Sequence, residues 1–551
     1  MNLKKIVPHV IAVILMLVTA FVFFAPAAFE GKVLQQPDNE KALASQAEME
    51  KFQKETGKPV LWTNAYFSGM PTAQIHQEIN GNLTQPVFRI ALLGKGVTAP
   101  HPSVFLAMLA AYFMLLVLSV DWRLALIGAF GFGLSNYNMD IIEAGHSTKM
   151  VALAFAPAII GAAIMTFRGK WLLGGALFAL FLSLQIYSNH YQITYYTFFI
   201  LITLGIVELV AAVRTKVWGN FTKGTLALVV GVALSLGSNA TSLWTTYEYQ
   251  KLSTRGASEL KNTVSQNLNT EGGLSKNYVF GWSLGLAETM TLLVPRFYGG
   301  GASETHDDTK TYKAVYGNIA QQLAQSPGIT PAEVKKTASR QASSLFYYGN
   351  QPFVGVSIYY GAILMFLTVL SITLVKTREK WLIAISGLLM LMIAWGDNFF
   401  FGTLMYEVFP LFNKFRAVTQ ALGLGQLMVA ALAMLGLQAW FNKDIENVQK
   451  QKALTISLGV TLLFCLIGMV GGDVSGEIDS KLPKDIIPML HDDRAALSRG
   501  DATRSLLLIL LTAGILFAAL KGSIKQAWLA VTIVGVLSLG DIWLVSKRVM
   551  N

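Results

Sequence analysis

Two carboxylates, Asp38 and Glu40, lie in the stretch Phe29–Glu40 (FEGKVLQQPDNE), where a long apolar run gives way to a polar segment. A carboxylate fixed at the edge of a bilayer can take a proton from a hydroxyl whose reaction partner is held in lipid. By residue type alone Asp38 first reads as the N-cap of a helix starting at Asn39. Glu40 reads as a solvated first-turn residue. A second group is crowded into NYNMDIIEAGHSTKM, which holds Asp140, Glu143, His146 and Lys149. Glu143 and His146 are three apart and would share a face of a helix. Ionisable residues in a short loop between apolar runs are costly to bury and tend to mark function; the plainer alternative is an interfacial ion-pair network. His190 and Tyr191 read equally as site residues or interface residues. Arg255 and Arg416, with Lys414, suit a phosphate, because a guanidinium fork matches phosphate oxygens in two bonds. Snorkelling to the interface is the alternative, above all for Lys414.

The elements that must position these residues are membrane spans. The chain has 551 residues, 53% hydrophobic and 14% charged, whereas soluble domains run near a quarter charged. Apolar segments long enough to cross a hydrocarbon core of ~30 Å recur throughout, and the alternating strands of a barrel are absent. The expected fold is an all-α polytopic membrane protein. Hydropathy predicts about thirteen spans, near 6–29, 102–120, 123–138, 150–167, 171–188, 191–213, 225–245, 353–375, 380–396, 419–440, 453–471, 503–520 and 526–545. Basic residues concentrate in one alternate set of loops (Lys4/Lys5, Arg123, Arg168/Lys170, Arg214/Lys216/Lys223, Lys376/Arg378/Lys380, Lys443/Lys450/Lys452, Lys521/Lys525). The positive-inside rule makes that side cytoplasmic, with the N-terminus. The net charge of +11 therefore reflects topology, not nucleic-acid binding. The first apolar run, with Ala25-Pro26-Ala27-Ala28 behind it, resembles a secretory signal but is expected to remain as an uncleaved span. The lone Cys465 lies in an apolar run, so no internal disulfide forms.

The outward connections 30–101, 139–149, 246–352, 397–418 and 472–502 are long and mixed in charge. Within 30–101, Asn39–Thr56 has helix-forming composition, with Leu43, Ala47, Met49 and Phe52 on an apolar face. Thr84–Gly94 could lie along the membrane. The rings of Trp62, Tyr66 and Phe67 suit interface seating or stacking on a sugar. Thr330-Pro331-Ala332-Glu333 is a capping box with proline at the first helical position and predicts a helix to about Leu345. Stretch 397–418 reads as a short helix dipping into the outer leaflet. The chain divides into an N-terminal transmembrane module (1–245), a large outer loop (246–352) and C-terminal helices (353–551).

At VLQQPD (33–38), WTNAYFSGMP (62–71), IIEAGHSTKM (141–150), SNHYQITYY (188–196), YEYQKLSTRG (247–256), ETMTLLVPRFYGG (288–300) and FNKFRAV (412–418) the sequence resembles the YfhO family of bacterial membrane proteins, within the GT-C glycosyltransferase superfamily. Members often carry a further outer domain, where this sequence stops at Asn551. It also lacks the WWDYG-type motif of oligosaccharyltransferases, which argues against a peptide acceptor.

The resemblance implies a GT-C-like fold and transfer of a sugar from a polyprenyl-phosphate donor to an envelope glycopolymer or glycolipid, on the outer face of the cytoplasmic membrane. It implies Asp38 as general base; a single displacement at the anomeric carbon would invert the donor's configuration, and Glu40, Asp140, His190, Tyr191 and Lys414 are secondary candidates. Lys149, Arg255 and Arg416 would hold the donor phosphate. Glu143 and His146 would orient the base, or bind a divalent metal with Asp38, though their spacing is no established metal motif. Partners are the lipid-linked sugar and membrane lipids, with no nucleic acid and no nucleotide. Rival expectations are a lipid or glycan transporter, with mid-membrane charges and repeated halves, and a non-catalytic envelope scaffold.

Overall fold

The computed structural model describes residues 3–34, 36–75, 81–256, 272–304, 306–472 and 474–550. The described residues are predominantly helical, and the only sheet among them is the two-stranded pairing of Trp62–Thr63 with Met70–Pro71. Nine helices among those residues are long and apolar enough to cross a membrane, and Trp171–Tyr187 and Ala362–Leu374 are apolar but shorter. By length and composition this is a multi-pass helical membrane protein.

The helices depart from the hydropathy segments where a side chain or proline intervenes. The run 6–29 is two helices, Leu3–Phe23 and Ala25–Phe29. Pro26 has no N–H to continue the first helix and suits the first turn of the next, so the chain breaks at Phe24. The span expected at 225–245 is Gly219–Ser238 followed by Ala240–Gln250. At the break, buried Asn239 donates to the carbonyls of Ser183 (3.1 Å) and Ser235 (3.0 Å). The helix expected from 353 starts only at Ala362, whose N–H goes to Asp541 Oδ2 at 2.9 Å. The span expected at 503–520 is the end of a much longer helix, Ile486–Leu520. The capping box at Thr330 and Glu333 is present and starts Pro331–Ser344.

The chain forms two compact units. The first comprises Met1–Trp122, Ile141–Phe280 and Leu404–Arg416; the second comprises Arg123–Asp140, Gly281–Thr403 and Ala417–Asn551. The core of the first is Ser147–Phe167, buried at every residue but Thr148. It packs against Pro100–Val117, Trp171–Tyr187, Tyr191–Thr215 and Gly219–Ser238. Lipid supplies little hydrophobic drive between helices, so close backbone approach and interhelical hydrogen bonds must hold them. Gly174 permits this: a Cβ there would lie 2.4 Å from Thr166 Oγ1. Ser183 and Ser238 add a hydroxyl pair at 2.6 Å.

In the second unit, Leu422–Phe441 packs against Ala362–Leu374 and Arg378–Ala394, and Asn447–Val470 against Ile486–Leu520. Buried charges tie its ends. Asp501, 2% exposed, accepts from Arg548 Nη1 at 2.7 Å and Nη2 at 2.6 Å, and from Arg296 Nε at 3.1 Å. Asp541 accepts from Arg504 Nη1 at 2.6 Å and from the Tyr359 hydroxyl at 2.8 Å. Each carboxylate is paired, as a buried charge must be.

Candidate functional site

The site forms in the first unit, where the first turn of one helix meets the start of another. Pro37 opens the helix Pro37–Thr56, because a residue without an N–H suits the first helical position. The N-cap is Gln36. Asp38 is therefore inside the first turn with Glu40 and does not cap a helix starting at Asn39, as its residue type suggests. Both carboxylates face the positive end of the helix dipole.

On the other side, Asn136–Ala144 ends just before Gly145, whose φ is +90°. His146 follows as the N-cap position of Ser147–Phe167. Glu143 and His146 thus do not share a helical face. The left-handed turn at Gly145 separates them, and Glu143 remains half-buried on the preceding helix. Gly145 also lets the two segments touch: a Cβ there would sit 2.9 Å from the backbone nitrogen of Asn39.

Three rungs join the segments. Gln36 Nε2 donates to the carbonyl of Ile142 at 2.5 Å. Asn39 Nδ2 donates to Ser147 Oγ at 2.9 Å and to Gln36 Oε1 at 2.7 Å. Between them, His146 Nε2 lies 2.9 Å from Asp38 Oδ2. Burial pushes the imidazole down to about 4, and the nearby Lys149 ammonium adds to this against the opposing pull of Asp38. His146 is therefore neutral at neutral pH. A carboxylate only accepts, so the neutral ring donates Nε2–H to Asp38 and carries its lone pair on Nδ1. Nδ1 is buried and has no hydrogen-bond partner among the described residues. Asp38 is 52% exposed at its side chain, and the ring meets its Oδ2.

Positive charge gathers nearby. Lys149 is 7% exposed, and Arg416 is close enough to depress His146 as well. Burial lowers Arg255 from its ordinary range, with the Arg416 charge second. Burial also lowers Lys414. Arg255 and Lys414 clasp each other's backbones: Arg255 Nε donates to the Lys414 carbonyl at 2.9 Å, and Lys414 Nζ to that of Arg255 at 2.7 Å. Arg416 Nη1 donates to the Tyr278 hydroxyl, and Gln192 Nε2 holds the Arg416 carbonyl at 2.7 Å. Tyr195 holds that of Pro410 at 2.7 Å.

Glu40 is exposed. His190 precedes Tyr191–Thr215, and the Tyr191 hydroxyl pairs with Ser242 Oγ at 2.8 Å. Asp140 belongs to the second unit, beside Gly355, where a Cβ would lie 2.7 Å from its Oδ1. Among the described residues no group of three or more His, Cys, Asp or Glu is placed to hold a metal ion. The apolar face expected on Asn39–Thr56 is only partly covered: Met49 is buried, while Leu43 and Phe52 are exposed.

Residue types alone do not single out Gln36, Asn39, Ser147, Gln192 or Tyr278. Pro37 carries the one usable signal, since proline at the first helical position places the cap at Gln36. Compared with models of known families, with curated proteins and with solved structures, the chain matches none.

Proposed function

We propose that the chain is an integral-membrane glycosyltransferase with a GT-C-like arrangement of about thirteen spans. It moves a sugar from a polyprenyl-phosphate donor to a hydroxyl of a cell-envelope acceptor on the outer face of the cytoplasmic membrane. The observation that carries this reading is the Asp38–His146 pair, 2.9 Å apart, with the carboxylate about half exposed and the Lys149 and Arg416 charges within range of the ring. The sequence resemblance to the YfhO family points the same way.

In this reading Asp38 Oδ1 takes the proton of the acceptor hydroxyl. The acceptor oxygen bonds to the anomeric carbon from the face opposite the phosphate. The bond from that carbon to the phosphate oxygen breaks, and its electron pair leaves with polyprenyl phosphate. A single displacement inverts the anomeric configuration. His146 donates Nε2–H to Oδ2, fixing the carboxylate's direction without competing for the proton. Lys149, Arg255 and Arg416 offset the charge growing on the leaving phosphate.

The test is incubation of the purified protein in lipid nanodiscs with labelled polyprenyl-phosphate sugar and envelope fractions. Label should enter the acceptor with inverted configuration; its retention on the lipid overturns the reading. Transport is the second reading, favoured by the buried Asp501 and Asp541 on candidate spans. Their saturation by arginines is more suited to a structural lock. Flux of lipid-linked sugar across proteoliposomes, without transfer, would support transport instead.

A further inference from the structure

The phenol of Tyr278 meets Arg416 in two ways. Its hydroxyl accepts from Arg416 Nη1, and the guanidinium lies 5.1 Å from the ring centroid. Arg255 lies within electrostatic range of both Tyr278 and Arg416. A phenolic oxygen accepts and also donates. The Arg416 contact uses its accepting side, which leaves the O–H for an acceptor, and among the described residues none takes it. The ring is half-buried, with access to solvent. The backbone beneath is firm: the Leu274 N–H donates to the Asn413 carbonyl at 2.9 Å, and the Tyr406 hydroxyl to that of Leu274 at 2.9 Å. Gln192, 6% exposed, anchors the Arg416 carbonyl.

Two arginines brought within range of each other, with a hydroxyl hydrogen beside them, make a fitting receptor for a phosphate oxyanion: charge from the guanidinium groups, direction from the phenol. We propose that Tyr278 is a phosphate-binding residue, its O–H donating to an oxygen of the same phosphate that Arg416 grips. This rests on the glycosyl-transfer reading only for the identity of that phosphate as the donor's. The shared chemistry is a phosphate ester anion, which the lipid-linked donor, free phosphate or an anionic phospholipid headgroup would each present.

The experiment uses Tyr278→Phe, which keeps the ring beside the guanidinium and removes the hydroxyl, both its O–H and the oxygen that accepts from Arg416 Nη1. Calorimetry on the full chain in detergent follows a short-chain prenyl phosphate. Parallel arms use inorganic phosphate and vesicles of phosphatidylglycerol. Loss of a hydrogen bond to a charged group should weaken prenyl phosphate binding roughly ten- to hundredfold, with circular dichroism and melting unchanged. Weakening in the prenyl arm alone assigns the grip to the lipid-linked donor; equal weakening in another arm assigns it to that source. Wild-type affinity in Tyr278→Phe for all three, or no binding of any to the wild type, overturns the proposal. Tyr278→Phe unchanged while Asp38→Asn stops transfer removes only this inference. Weakened binding in Tyr278→Phe with full transfer in Asp38→Asn leaves the grip standing and removes Asp38 as the base.

Discussion

Each compact unit holds a histidine against an aspartate, and the two pairs are built differently. In the second unit His491 Nε2 lies 2.7 Å from Asp479 Oδ2. The same carboxylate takes the Gly476 N–H at 2.8 Å and Arg494 Nη1 at 2.9 and 3.0 Å. Burial works against its charge, but these donors overcome it and hold Asp479 below the usual carboxylate range. Arg494 is fully buried and also bonds the carbonyls of Phe346, Val474 and Leu345. Every oxygen there is committed, so the pair is a brace. In the first unit, among the described residues, the His146 ring alone meets Asp38, at Oδ2, and the carboxylate is about half exposed. A histidine–aspartate contact thus says little by itself. What distinguishes a base from a brace is whether a lone pair is left over.

The comparison can be broken or sharpened in four ways. Asp479→Ala strands the buried Arg494 charge and should cost about 3–5 kcal/mol of stability, read as a lower midpoint of denaturation, while transfer per folded molecule stays at the wild-type level. Loss of transfer in the folded fraction would contradict the brace. Asn39→Ala removes the donations to Gln36 and Ser147 and should slow transfer roughly tenfold through misaligned Asp38. The slowing should fall on kcat, and Ser147→Ala should add little to it in a double-mutant cycle; full additivity would mean the rung does not act as one. Lys149→Met should raise the His146 pKa from about 4, but not fully to the ordinary value, because burial remains the larger cause; ring NMR would read it. The smallest effect is on pH stability. The folded-state pKa of His146 lies below the unfolded one, so the unfolded chain binds the proton first. The ring's contribution is present above pH 6.5 and is lost as pH falls from there through about 4. Its partial exposure keeps this small, and His146→Gln should flatten the acid limb of the stability curve in that window.

Helix occurs in each of the thirteen segments that hydropathy picks out, but among the described residues nine helices are long and apolar enough to cross a membrane. Hydropathy could not locate the breaks at Asn239 and before Ala362, which depend on side chains reaching backbone groups far along the chain. Asp38, His146 and Lys149 stood out as ionisable residues beside apolar runs. Spacing joins Glu143 to His146 only on an unbroken helix, and Gly145 breaks it with a positive φ. Gln36, Asn39 and Tyr278 were invisible because their part is geometric. An amide or phenol becomes informative only once its partner, more than a hundred residues away, is known. The buried Asp501–arginine cluster escaped notice for the same reason, as its members are scattered from Arg296 to Arg548.

The most direct test of Asp38 as the base is Asp38→Asn in the transfer assay at saturating donor and acceptor. The amide keeps the size and can still meet His146, but it cannot take a proton. Removal of a general base should lower turnover by about 10²–10⁴-fold, with melting and prenyl phosphate affinity unchanged. Turnover at the wild-type rate by that variant would contradict the account.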